Sequence, residues 1–84
     1  MVVYPQCRGA EGVGKLHCLI NAVMDDYYSG RISGGLARRR LAYLIALNAS
    51  NHWAPQGVAR SLVREAMLEL RSGEREAPTR LAVW

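Results

Sequence analysis

Eighty-four residues, 50% of them hydrophobic and 21% charged, make one small globular domain and exclude a multi-domain enzyme. No apolar run approaches the ~20 residues that cross a bilayer, and two cysteines are too few to define a disulfide scaffold. The net charge of +4 is unevenly spread: residues 31–60 hold Arg31, Arg38, Arg39, Arg40 and Arg60 with no acid at all, whereas the flanking thirds are close to balance. Basic charge concentrated in this way calls for an anionic partner, either nucleic acid or an acidic protein surface.

The first residues, Met1 to Gln6, lack the basic and long apolar segments of a secretion signal, so a cytoplasmic protein with Cys7 and Cys18 reduced is expected. Residues 5–14, rich in glycine and proline, read as the end of an N-terminal loop covering 1–14. Within it Gly9, Gly14 and Lys15 have the spacing of a phosphate-binding loop, but Leu16 stands where that motif needs Ser or Thr for magnesium. No strand leads directly into the glycines either, so the segment is read as a connection and no nucleotide cofactor is expected.

From Leu16 the pattern changes. Leu16, Leu19, Ile20, Val23, Met24 and Tyr27 lie on one helical face and predict a first helix over about 15–28, with Gly30 suited to a left-handed C-cap position. Ser33 is a good N-cap for a second helix over about 34–48. This helix has two apolar stripes, Ala37, Leu41, Leu44 and Ile45 on one side and Leu36, Tyr43 and Leu47 on the other. A helix apolar nearly all round is central to its fold or partly covered by another chain, so the expectation includes a homodimer contact through it.

Residues 48–54 are rich in turn formers, and Pro55 suits the first turn of a third helix over about 55–71, ended by Ser72-Gly73. Ala59, Leu62, Val63, Ala66, Met67 and Leu70 form its buried face. The remainder, 74–84, reads as a tail whose Leu81–Trp84 can pair with Val2-Val3-Tyr4 as a short β-ribbon. The predicted architecture is therefore a single all-α domain over 1–84, a compact three-helix bundle with that ribbon as an optional addition.

Catalysis and metal binding find little support. Cys7, Cys18, His17 and His52 supply zinc-ligand types without paired knuckle spacing, and adjacent His17 and Cys18 diverge on a helix. No spacing links a thiol to a base, so neither an enzyme nor a metal site is expected. Arg38-Arg39-Arg40 is the strongest local feature. These three fan over about 200° of the second helix, and Asp25 and Asp26 are the acids able to oppose them across the first hairpin. Two acids cannot neutralise five arginines.

The expected contact surface is Arg31, Arg38, Arg39, Arg40, Trp53, Arg60 and Arg64, with Trp53 or Tyr28 as an aromatic anchor. The segment Tyr27 to Ser33, followed by an Arg-rich helix, resembles many helical hairpins joined by Gly-x-Ile-Ser, a generic motif that brings no activity with it. In size, basicity and lack of a catalytic pattern the chain is similar in kind to small phage and mobile-element proteins, anti-CRISPR inhibitors among them. That resemblance implies stoichiometric binding to a partner protein. The alternative reading is a small DNA-binding regulator of helix-turn-helix type, using the same arginines on phosphates and helix 3, with Glu65 and Glu69 against it.

Overall fold

The computed structural model describes residues 4–83, and the side chains of residues 4–72. After a short 3-10 turn at Pro5–Cys7, three helices follow: α1 (Gly12–Tyr28), α2 (Gly34–Asn51) and α3 (Gln56–Val83). The all-α bundle expected from periodicity is what forms. α2 packs against both neighbours and is the central element. Its Ala37, Leu41 and Leu44 are fully buried against Leu16 and Val23 of α1 and Ala59, Val63 and Leu70 of α3. Each such leucine contributes about 1.5–3 kcal/mol through removal from water.

Local signals set the helix ends. Ser33 Oγ accepts from the Leu36 N–H at 3.1 Å, satisfying one of the orphan donors of α2. At the end of α1, Gly30 adopts φ +81°, its N–H donates to the Tyr27 carbonyl (3.1 Å), and the Arg31 N–H donates to the Asp26 carbonyl (2.9 Å). That pair of bonds is a Schellman motif, which needs a residue tolerant of the left-handed region. Gly12 has the same requirement at φ +58°, where the chain enters α1 three residues earlier than the apolar stripe suggests.

Three expectations are corrected. The helix-stop signal at Ser72-Gly73 does not end α3, which continues as a helix to Val83. A single helical glycine costs only about 1 kcal/mol relative to alanine, and good helix formers, Glu-Arg-Glu-Ala, follow Gly73; Pro78, also inside the helix, is the costlier residue at about 3 kcal/mol. Second, no strand occurs among the described residues: Leu81–Val83 belongs to α3, while Val2, Val3 and Trp84 lie outside the described residues. Third, Cys7 and Cys18 are not free thiols. They form a disulfide with Cα atoms 5.7 Å apart, tying the 3-10 turn to the second turn of α1. Sequence spacing hid this pairing because it depends on the chain folding back at Arg8–Ala10, where the Ala10 N–H donates to the Cys7 carbonyl.

The turn from α2 to α3 is organised by a buried polar side chain, Asn48. Its Oδ1 accepts from the Ala54 N–H (3.0 Å), and its Nδ2 donates to the Ala54 carbonyl (2.9 Å) and to Gln56 Oε1 (2.8 Å). Gln56 Nε2 in turn donates to the Ile45 carbonyl (3.2 Å).

Two stability predictions follow from these cross-links. Closing a loop of sequence separation 11 removes unfolded-state entropy worth about 3 kcal/mol. Cys18→Ser should therefore lose about that amount in urea unfolding under non-reducing conditions. Reducing agent should bring the wild-type protein to the same midpoint and leave the variant unmoved. Asn48→Ala should cost about 2–3 kcal/mol, and Asn48→Leu should not recover it, because apolar volume cannot satisfy the Ala54 amide.

Candidate functional site

The arginines of the middle third divide between different surfaces. Asp26, in the last turn of α1, collects two of them. Arg31 Nε donates to Oδ1 at 2.8 Å, the Arg40 guanidinium reaches Oδ2 at 3.5 Å, and the Tyr4 hydroxyl donates to Oδ2 at 3.0 Å. Arg40 also donates to the Tyr4 hydroxyl oxygen at 2.8 Å. The Schellman motif places Arg31 beside Asp26, and Arg40 lies on the flank of α2 that faces α1. The Arg31 hydrogen bond, then that from Tyr4, hold the Asp26 carboxyl below its ordinary value of 3.8. Burial, then the bond to Asp26, push the Tyr4 phenol above its ordinary value. Asp26 and Arg40 therefore fasten the N-terminal segment to the α1–α2 hairpin through Tyr4, and Arg31 braces Asp26 from the turn. Asp25, by contrast, is exposed.

Arg38 and Arg39 are exposed, about 100° apart on α2. Arg38 shares a face with Ile45 two turns later, while Arg39 points outward. Also on the outer side of α2 are Leu36 and Tyr43, 37% and 40% exposed. Trp53 is half-buried and packs on the core beside the α2–α3 turn, so much of its ring serves the fold. Tyr28 is exposed, with its ring 5.3 Å from that of Tyr27.

A different arrangement appears on α3. Arg60, Arg64 and Arg71 fall within about 40° of one another around the helix, on the flank toward α2. With Ile45, Val63, Met67 and Leu68 they line a surface groove of about 420 Å³ between α2 and α3. Val63 is buried, Ile45 and Met67 are half-buried, and Leu68 is 54% exposed, so the groove has an apolar floor and an exposed apolar edge. Glu65 and Glu69 lie on the opposite flank, where they line a second hollow with His17 and Asn21 of α1. Over its described side chains α3 thus separates its charges, arginine toward α2 and glutamate toward α1.

Of the seven expected contact residues, the structure brings Arg60 and Arg64 together and adds Arg71, which sequence reasoning missed. The signal for Arg71 was present, since it lies eleven residues after Arg60 and one helical face therefore holds both. Along the chain Arg71 is offset by neighbouring glutamates, so its place beside Arg60 and Arg64 shows only in projection around the helix. Other candidate chemistry is absorbed by the fold. Lys15, the lysine of the phosphate-loop-like segment, donates from Nζ to the Cys7 carbonyl at 2.9 Å. Both cysteines are consumed by the disulfide, and His17 and His52 are exposed. Among the described residues, no group of three His, Cys, Asp or Glu side chains is placed to hold a metal ion. Within the same residues, no helix is long and apolar enough to cross a membrane.

Comparison with known proteins gives no match to a family model, to a curated protein or to a solved structure. The reading of the site accordingly rests on its own geometry.

The Asp26 cluster predicts a pH dependence whose sign is fixed. A carboxyl held below its ordinary 3.8 in the native state adds stability above that value, and loses it as the pH falls through the lowered native one. By carbon-13 NMR, the Asp26 carboxyl should titrate with a midpoint below 3.8, and Arg31→Ala should move that midpoint upward. The acid limb of the unfolding profile should be shallower in Asp26→Asn than in the wild type.

Proposed function

We propose that this protein is a non-enzymatic helical binding module that acts by stoichiometric contact with an acidic surface of a partner protein. The observation that carries this reading is the groove between α2 and α3, where Arg60, Arg64 and Arg71 stand over an apolar floor with no acid among the described lining residues. Guanidinium groups recognise carboxylates through paired N–H donors, and they give complementary partners a fast, oriented approach. The apolar floor supplies what charge alone does not, an area whose desolvation contributes affinity. A module of this kind inhibits by occupying its partner's working surface, in keeping with the resemblance in kind to phage and mobile-element proteins.

A DNA regulator would set the same three arginines against phosphates. Ile45, Val63, Met67 and Leu68 give a phosphate backbone nothing to bind, and this favours the protein-directed reading.

The test is a combined variant, Arg60→Ala, Arg64→Ala and Arg71→Ala, compared with the wild type in affinity capture from the native host. The variant should unfold within about 0.5 kcal/mol per substitution of the wild type, as exposed positions do. It should lose a protein that the wild type retains at a fixed molar ratio. Capture indifferent to the three arginines would remove the proposal. Random-sequence duplex bound with an affinity that falls steeply with salt would replace it with the nucleic-acid reading.

A further inference from the structure

The groove between α2 and α3 also constrains the shape of what occupies it. We infer that its occupant is an amphipathic α-helical segment of the partner, carrying acidic residues along one edge of its apolar face. This inference rests on the protein-binding reading and narrows it.

Spacing supplies the argument. Along α3, Arg60 and Arg64 are separated by a rise of about 6 Å, and Arg64 and Arg71 by about 10.5 Å. A helix lying along α3 reproduces both intervals with carboxylates at i, i+4 and i+11, all within about 40° on one edge. An extended segment advances about 3.3 Å per residue and alternates its faces. It can meet the first interval with two residues, but the second needs about three, which turns the last carboxylate away. A helical segment in this register serves all three guanidinium groups with side chains from one edge, whereas an extended segment does so only with a mismatch of about 3 Å at the second interval.

The floor agrees with that geometry. Val63 and Met67 are one turn apart on α3, and Ile45 faces them from α2. A third helix settling into the channel between two packed helices, with apolar residues at i, i+3 or i+4, and i+7, is a standard way of covering such a surface. Leu68, 54% exposed at the edge, would pack beside its apolar stripe. Charge sets the sign of the partner: among the described residues the lining holds three arginines and no acid, with Glu65 and Glu69 turned to the far flank of α3.

The experiment is an NMR titration of nitrogen-15-labelled full-length protein with synthetic peptides of about 16 residues, long enough for the three turns between Arg60 and Arg71. The probe peptide carries leucines on one face and glutamates at i, i+4 and i+11 along its edge. One control has the same composition with the glutamates moved out of helical register, and another has a central proline that breaks the helix. The probe should shift amides around Ile45 and along 60–71, and should bind at least about tenfold more tightly than either control. Arg64→Glu should weaken it by about tenfold or more without lowering the melting temperature.

No binding up to about 1 mM would overturn the inference, as would shifts on another face. Binding of the proline-broken control at equal strength in the groove would overturn the helical occupant while leaving the protein-binding reading in place. Shifts of the same amides by random-sequence duplex, with none by any peptide, would overturn both.

Discussion

The α2–α3 corner depends on one buried amide. Asn48 satisfies both the N–H and the carbonyl of Ala54, and through Gln56 it is linked back to the Ile45 carbonyl. A four-residue connection could leave two helices in several relative orientations. A buried amide has no such latitude, because any orientation that breaks its bonds leaves polar atoms desolvated and unpaired, at about 1–3 kcal/mol for each. Asn48 therefore selects the geometry in which Ile45 of α2 comes to face Val63 and Met67 of α3, and the groove exists because of that choice.

On the other side of α2 the same logic runs through charge. Asp26 is presented by the Schellman turn, receives Arg31 from that turn, and reaches Arg40 and Tyr4 from segments distant in sequence. The disulfide anchors the residues just after Tyr4 to α1, so a covalent bond and an ionic cluster hold the two ends of one short segment. Two arginines of the acid-free third thus stabilise the fold, and net charge alone overstates the basic surface available to a partner. Among its described residues α3 sorts its charges: three arginines toward α2, two glutamates toward α1. The near balance of charge over residues 61–84 conceals this polarity.

How much of this could be read in advance depends on whether the signal is local. The core faces of all three helices, the Ser33 cap and the left-handed Gly30 are each decided within one or two turns, and all were legible. Asn48 was not. As a residue type it reads as a turn former, and its burial follows from where α3 returns. Cys7 and Cys18 were misjudged for a related reason, since cysteine number and the opening residues speak of compartment, whereas pairing is a matter of distance. The end of α3 differs in kind: Ser72-Gly73 is a real but weak stop, and the helix runs on past it, and past Pro78, to Val83. Arg71 was within reach, because rotation around a helix can be calculated from sequence, but charge had been grouped by chain order.

That last error bears on what the surface can do. A run such as Arg38-Arg39-Arg40 attracts notice because it is contiguous, yet contiguity on a helix spreads charge over about 200° and prevents concerted use. Arg60, Arg64 and Arg71 are dispersed in sequence and concentrated in space, the arrangement that lets several guanidinium groups act on one ligand. Their apolar surroundings add selectivity, since a purely anionic ligand leaves Ile45, Met67 and Leu68 without a counterpart and an apolar one leaves the arginines unpaired. Under the proposed binding function, a ligand that satisfies both requirements is itself amphipathic, so the chemistry of the groove would limit the class of partner it takes.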